Sequence, residues 1–305
     1  MEPDLLTSQR VAVVVLNLTI AILVGASAAH LWLRSASSAW AGAVLPRLHT
    51  SMRACLPLAL AAYIAVLWLE AASMAEVPPA GAWPAVVSVL GATHYGLAWL
   101  IGAAALVVLG LASFARPAHA VRILALGVFL FSRSMVSHAG AAGDFTWAVA
   151  ADWIHLVLVS VWVGEVIVAG LLVLDREPAG ESADRADCAR YTEQLSRSAT
   201  IALTGIFITG AIGAWRGLGA FENVAGNAYG ATLLVKIGLV LSAAALGGVN
   251  RFVVMPGLLA GLRTPHTAGL GARRRFTTVL KVEALLLLAV LVAAAFLSST
   301  PPPAA

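Results

Sequence analysis

Eight long apolar segments constrain this chain more than any other feature of its sequence. They run over about residues 11–33, 54–76, 85–115, 120–138, 147–174, 198–216, 229–250 and 279–298. A helix that spans a bilayer needs about 20 mostly apolar residues, whereas a barrel strand needs about ten residues with strict alternation. The segments therefore predict an all-α membrane bundle of eight transmembrane helices. The third and fifth segments exceed this length, which predicts helix tilt or an interfacial first turn.

The charged residues are too few for a soluble domain of this size. Only 11% of the 305 residues are charged, whereas soluble domains average about 25%. The outward connections are short, so we expect one transmembrane domain over residues 1–305 and no soluble domain. The net charge of +4 forms no basic patch interleaved with aromatic residues, which argues against a nucleic-acid partner. The two cysteines lie far apart and outside any CxxC motif, so neither a disulfide framework nor a thiolate metal site is expected.

The basic residues indicate how the bundle is oriented. Most of the 19 lysines and arginines lie in the odd-numbered connections: Arg34, Arg47 and Arg53; Arg116 and Arg122; Arg176, Arg185, Arg190 and Arg197; Arg251, Arg263, Arg273, Arg274, Arg275 and Lys281. Positive charge near helix ends stays on the cytoplasmic side. We therefore predict that both termini face the periplasm, as an even number of spans requires.

Three histidines are predicted to share one depth near the outer surface. His94 and His155 lie eight or nine residues, roughly, into segments that run inward, and His138 lies at the outer end of an outward segment. An ionisable residue inside a membrane is a candidate functional residue, because its burial is costly. Of the other histidines, His30 lies near the inner end of the first segment. His49, His119 and His266 are assigned to cytoplasmic connections or helix ends.

Other polar or soft side chains share this outer layer. Met135 precedes His138 by three residues, and Asp152 precedes His155 by three, which places each pair on one helix face. Imidazole and thioether ligands together favour copper. We predict His94, His138, His155 and Met135 as metal ligands. Carboxylates that orient the imidazoles are predicted at Asp152 and Glu70.

Simpler interpretations of these residues stay open at this point. An intramembrane histidine often serves as an interhelical hydrogen-bond partner. Asp152 can be a carboxylate that interacts favourably with a helix N-terminus. Glu70 can pair with Arg133 or Lys236, which lowers the cost of burying all three charges.

Several enzyme and pump classes lack their sequence motifs here. The chain has no GxxxxGK[ST] phosphate-binding loop and no HExxH metalloprotease motif. It also lacks the Asp-Lys-Thr-Gly-Thr sequence and the intramembrane Cys-Pro-Cys of P-type metal pumps. We therefore expect a protein that is not an enzyme, with any transport passive, ion-coupled or assisted by a partner.

Two stretches resemble the CopD family of copper resistance membrane proteins. The first contains Ser137-His138-Ala139, then Asp152-Trp-Ile-His155, then Trp162-Val-Gly164. The second contains Leu195-Ser196-Arg197, Thr209-Gly210, Tyr229-Gly230, Lys236, Asn250-Arg251-Phe252 and Pro256. Together they cover about residues 132–260, and their combination is more specific than any single piece.

The resemblance implies copper handling in the inner membrane of a Gram-negative bacterium, often with a periplasmic copper-binding CopC-type partner. His94 depends on the depth argument alone. The residues that occupy family motif positions are His138, His155, Trp162, Lys236, Asn250 and Arg251. The chain departs from the motif at Ser137 and at Glu165, each of which stands where the family usually has glycine. Glu165 places an additional carboxylate deeper in the membrane, where we expect a relay point. Oligomeric state and transport direction do not follow from the resemblance.

Two other functions fit the same residues. Histidines on facing membrane helices also bind haem, and His94 and His155 could supply such a pair. The chain could instead be an assembly factor that delivers copper to an oxidase without transporting it. A purely structural scaffold would leave the buried ionisable residues without a role.

Overall fold

The computed structural model describes residues 3–115, 118–178, 182–263 and 269–303. Arg116 and His266, which the sequence assigns to inner connections, lie outside these ranges. In chain order the helices are α1 (Pro3–Leu33), α2 (Ala39–Met74), α3 (Trp83–Ala92), α4 (His94–Phe114), α5 (His119–Met135), α6 (Trp147–Val168), α7 (Ser182–Leu218), α8 (Ala228–Val249), α9 (Met255–Arg263) and α10 (Gly269–Ser298). No strand occurs in the described ranges, so the all-α prediction is confirmed.

The predicted apolar segments all coincide with helices, and the described residues include seven helical stretches that are long and apolar enough to cross a membrane. α6 and α8 each continue through a π-helical turn, at Ala169–Val173 and Asn250–Val254. The fourth predicted segment corresponds to α5, which has 17 residues. At 1.5 Å per residue, α5 is about 26 Å long. This is slightly less than the roughly 30 Å of a hydrocarbon core.

The third predicted segment, for which we expected tilt or an interfacial first turn, is not one continuous helix. It is broken into α3 and α4 at Thr93, whose backbone is extended. The Thr93 hydroxyl accepts a hydrogen bond from the Gly96 backbone N–H and so caps the start of α4. His94 is consequently the first residue of α4 and does not lie nine residues inside a span.

Three helices begin well before the apolar segments that predicted them. α2 begins at Ala39, α7 at Ser182 and α10 at Gly269, so much of the expected connecting loops is helical. The Trp40 backbone N–H donates to a carboxylate oxygen of Asp184, which joins the starts of α2 and α7. Hydropathy finds only the part of a helix that lies in lipid, because a polar helix outside the membrane has an ordinary composition.

The centre of the bundle is α1, which packs mainly against α2 and α6. Gly164 of α6 lies so close to α1 that a Cβ atom on it would overlap the Ala21 carbonyl. A Cβ on Gly25 would likewise overlap the backbone of Gly164. Small residues permit such close crossings of membrane helices, where van der Waals packing replaces the hydrophobic drive.

Contacts between helix ends define two ends of the bundle. His94 at the start of α4 contacts Asp144, which lies between α5 and α6. His30 at the end of α1 contacts His49 of α2 and His119 at the start of α5. The end that contains the start of α4, the end of α5 and the start of α6 is called the outer end. The inner end contains the end of α1, the start of α2 and the start of α5.

α4 packs against α5, and α5 packs against α6. His94 lies on α4, His138 follows α5, and His155 lies on α6, so the three outer histidines belong to neighbouring helices.

Candidate functional site

His155 lies on α6 and contacts the Thr-Gly pair of α7. Its Nδ1 atom is 2.9 Å from the Thr209 hydroxyl oxygen, and a Cβ atom on Gly210 would lie 3.5 Å from the edge of its ring. Thr209 donates its single hydroxyl proton to the Gly205 carbonyl at 2.7 Å. The hydroxyl oxygen therefore accepts from Nδ1–H of His155, which favours the neutral tautomer whose Nε2 can bind a metal.

Asp152 and Lys236 extend the surroundings of His155 to two further elements. Asp152 lies one turn before His155 on α6, and one of its carboxylate oxygens accepts a hydrogen bond of 3.0 Å from the Ser137 hydroxyl. Lys236 of α8 interacts electrostatically with both Asp152 and His155. Residues from the two stretches of the sequence motif thus lie together around His155.

His94 has a carboxylate partner that the sequence reasoning missed. Its Nε2 atom lies 2.8 and 3.0 Å from the two carboxylate oxygens of Asp144, in the connection between α5 and α6. The His94 side chain is half exposed, at 50%. We expected Asp152 to orient an imidazole. It forms a side-chain hydrogen bond with Ser137, whereas Asp144 contacts the imidazole of His94. An acidic residue in a short outward loop was the available signal.

Met135 and His138 do not share a helix face, so that part of the prediction is wrong. α5 ends at Met135, the chain turns, and His138 begins a short 3-10 helix. Met135 is buried, whereas His138 is exposed. In the described ranges no three His, Cys, Asp or Glu side chains are grouped so that they could hold a metal ion. The assignment of His94, His138, His155 and Met135 as ligands therefore stays a prediction.

The other predicted acidic residues lie in different surroundings. Glu70, near the end of α2, lies 3.4 Å from the Gln9 side-chain nitrogen and interacts electrostatically with Arg133. Glu165 is almost fully buried on α6, where one carboxylate oxygen accepts from the Ser198 hydroxyl at 2.8 Å. Its second carboxylate oxygen is buried and has no hydrogen-bond partner in the described part of the protein.

Another buried carboxylate, Glu283 of α10, was not identified from the sequence. The Trp162 indole N–H of α6 donates to it at 3.1 Å. Only 2% of the surface of Glu283 is exposed. Glu165 was identified because it stands where the family usually has glycine. An acidic residue inside an apolar segment is itself a candidate functional residue, and this rule could have found Glu283.

The remaining motif residues tie the helices of the C-terminal half together. The Arg251 guanidinium donates to the Ser196 carbonyl and hydroxyl, each at 2.7 Å, and so joins the end of α8 to α7. Asn250, at the start of the π-helical turn, is buried against α10. A Cβ on Gly217 would overlap the Tyr229 hydroxyl, so these two motif helices also approach closely.

Two family models match the chain and together span most of its length. The model described as copper resistance protein D matches residues 189–297. The model described as the copper resistance protein D-like N-terminal domain matches residues 8–147. No curated protein and no solved structure gives a significant match. With its helices of membrane-spanning length and the motif residues gathered around His155, the chain belongs to the CopD family of copper resistance membrane proteins.

Proposed function

We propose that this protein binds copper at the outer end of the bundle and carries it across the bacterial inner membrane. His155, His138 and His94 are the proposed ligands, with Met135 assisting. A periplasmic CopC-type protein is the proposed copper donor. The observation that carries the proposal is the hydrogen bond of Thr209 with His155, which leaves the His155 Nε2 atom as the nitrogen able to bind metal.

The membrane orientation in this proposal rests on the arginine distribution. The inner end carries most of the basic residues, and cytoplasmic connections are enriched in Lys and Arg. Both termini are then periplasmic. α5 crosses the membrane in addition to the seven longer helical stretches, which gives eight crossings. Its packing against α4 and α6 supports this crossing, since a neighbouring helix shields its polar residues from lipid.

The site is proposed to assemble when copper arrives. His94 begins α4 and His138 begins a 3-10 turn, and both side chains are exposed at the same end of the bundle as His155. Movement of these two side chains toward the half-buried His155 costs little packing, because neither fills the core. Asp144 holds His94 in the metal-free state and would compete with copper for it.

The charged residues around the site are proposed to control metal retention. Lys236 interacts with His155 and Asp152, and its positive charge would oppose a bound cation unless Asp152 balances it. Glu70 offsets the charge of Arg133 on the other side of the layer. Glu165, deeper in α6, is the proposed relay point for copper or protons on the way inward.

The proposal is tested by copper stoichiometry of the purified full-length protein in detergent. The variants are His138→Ala and His155→Ala, and His266→Ala, a histidine outside the proposed ligand set, is the matched control. Loss of copper in the first two variants but not in the control is the expected result. Unchanged stoichiometry in both would overturn the site assignment.

Two further measurements separate the alternatives. A red protein with a Soret absorption band would identify a haem protein and contradict copper binding. Cellular copper that is unaffected by the protein, combined with metal binding in vitro, would identify a copper-delivery factor and overturn transport. The expected result is a protein without a Soret band whose expression changes cellular copper.

A further inference from the structure

Three histidines that the sequence assigned to inner connections and helix ends gather at the inner end of the bundle. The His30 ring, in the last turn of α1, lies 4.9 Å from the His49 ring of α2, measured between centroids. It lies 5.9 Å from the ring of His119, the first residue of α5. His30 is therefore common to two imidazole pairs formed by three different helices. We call these three residues the inner histidine cluster.

These centroid separations suit ligands of one metal ion. A metal bound by an imidazole nitrogen at about 2.0 Å lies about 3.2 Å from the ring centroid. Two rings on one trigonal or tetrahedral ion then have centroids about 5.2–5.5 Å apart. The observed values of 4.9 and 5.9 Å fall on either side of this range.

The rings would have to rotate before they could share an ion. Their planes are inclined by 39° for His30 and His49 and by 25° for His30 and His119, so faces rather than nitrogen-bearing edges oppose one another. This orientation is consistent with the finding that the described part of the chain holds no ready-made group of three metal-binding side chains. A shared ion would require different rotamers of these side chains, with the nitrogens turned toward one point.

Three ring nitrogens of His30 and His119 lack hydrogen-bond partners among the described residues. Nδ1 of His30 and both ring nitrogens of His119 are buried and form no hydrogen bond within the described ranges. A buried polar atom without a partner costs about 1–3 kcal/mol, which metal coordination would relieve. All three side chains are partly exposed, although the unpartnered nitrogens themselves are buried.

Positive charges near the inner histidine cluster influence which metal ion it would bind. Arg122, which is buried on α5, interacts electrostatically with His30 and His119, and so does Arg34 at the end of α1. Positive charge repels a divalent cation twice as strongly as a monovalent one. Imidazole ligands suit copper, and copper has a stable monovalent state.

We infer that His30, His49 and His119 form a second metal site, which binds a monovalent soft cation, Cu(I), at the inner end of the bundle. The identity of the ion rests on the proposed copper function, whereas the existence of the site rests on the geometry of the three rings. The inner site would receive copper after its passage from the outer end. Arg122 weakens retention there, so that the ion is released readily to the inner side.

The test measures Cu(I) bound by the full-length protein in detergent under reducing conditions. The inner variant combines His30→Asn and His119→Asn, and the outer variant combines His94→Ala, His138→Ala and His155→Ala. Each variant is expected to lose about one copper equivalent relative to the unchanged protein. Gel filtration and thermal unfolding establish that both variants remain folded.

The outcomes separate this inference from the proposed function. Full stoichiometry in the inner variant overturns the inner site and leaves the proposed function standing. Loss in the inner variant alone supports the inner site and overturns the outer assignment. An unchanged protein that binds no Cu(I) overturns both.

Two further readouts do not depend on the folding of the inner variant. X-ray absorption of copper bound to the outer variant is expected to show imidazole scattering, and its absence would overturn the inner site. Arg122→Gln in the outer-variant background is expected to tighten Cu(I) binding several-fold, because it removes a repulsive charge. An unchanged or weakened affinity would contradict the assigned role of Arg122.

Discussion

The centre and the rim of the bundle are packed in different ways. In the most apolar stretch of α1 half of the residues are buried, and in α6 56% are buried, whereas in α7 and in α8–α9 only 11% are buried. The central helices meet through glycine, as at Gly25 and Gly164. The rim helices expose large apolar side chains such as Ile208 and Leu234.

This difference in packing suggests a functional role for the polar residues that the rim helices direct toward the centre. A helix with so little buried surface gains little from packing, and burying charge on its inner side adds a cost. Thr209 of α7 and Lys236 of α8 nevertheless lie beside His155, on the centre helix α6. We interpret the rim helices as carriers of functional groups and the centre helices as the framework that positions them.

The largest expected effect comes from filling the close crossing at the centre. Gly164→Val places side-chain atoms where the Ala21 backbone lies, and such overpacking costs about 1–3 kcal/mol or more. The matched control is Gly238→Val on α8, where a Cβ meets no atom within 4 Å. Thermal unfolding in detergent is expected to show a clear loss of stability for Gly164→Val only. Equal losses would contradict the distinction between centre and rim.

A similar loss is expected where α6 is joined to α10. Glu283→Ala leaves the buried Trp162 indole N–H without an acceptor, which costs about 1–3 kcal/mol. Glu283→Gln keeps an acceptor oxygen and is expected to lose less. Unfolding midpoints of the two variants measure the difference, and equal values would show that this hydrogen bond does not stabilise the protein.

A functional effect without a large loss of stability is expected on the rim. Thr209→Val removes the acceptor for His155 Nδ1–H, and loss of such an orienting partner typically lowers metal affinity about 10–100-fold. The matched control is Thr204→Val, at an exposed position about one turn earlier on α7. Copper titration of both purified variants is the measurement. A normal affinity in Thr209→Val would remove the main support for His155 as a ligand.

The smallest effect is expected on the outer surface of the rim. Leu234→Ala, at a half-exposed position of α8, is expected to change stability by less than about 0.5 kcal/mol. Leu23→Ala, at a fully buried position of α1, is the matched comparison and is expected to cost about 2 kcal/mol or more. A large loss at Leu234 in thermal unfolding would indicate that another molecule covers this face.

The apolar helices could be predicted because hydropathy is a local property of the chain. All eight segments coincide with helices, and the helical class follows from the need to satisfy backbone hydrogen bonds in lipid. The early starts of α2 and α7 could not be found in this way, since their polar turns pack against each other through Trp40 and Asp184. The break at Thr93 depends on a local cap that the apolar pattern hides.

The candidate site was predicted only in part. The motif positions His155, Thr209 and Lys236 do lie together. Asp144 as the partner of His94 was missed, because the loop that carries it is distant in sequence. His49 and His119 were assigned to connections and helix ends and His30 to an inner helix end, and nothing in their spacing indicates that their rings approach one another.

The sequence by itself determined the helical membrane class, the approximate helix positions and the family, since each depends on local composition or on short motifs. Only the tertiary structure decided that α1 and α6 form the centre, that Thr209 orients His155, and that His30 contacts both His49 and His119. The reason is physical. Apolarity drives each helix into lipid independently of the others, whereas the rotation of a helix and its choice of neighbours depend on how closely the small and polar residues of several helices pack together.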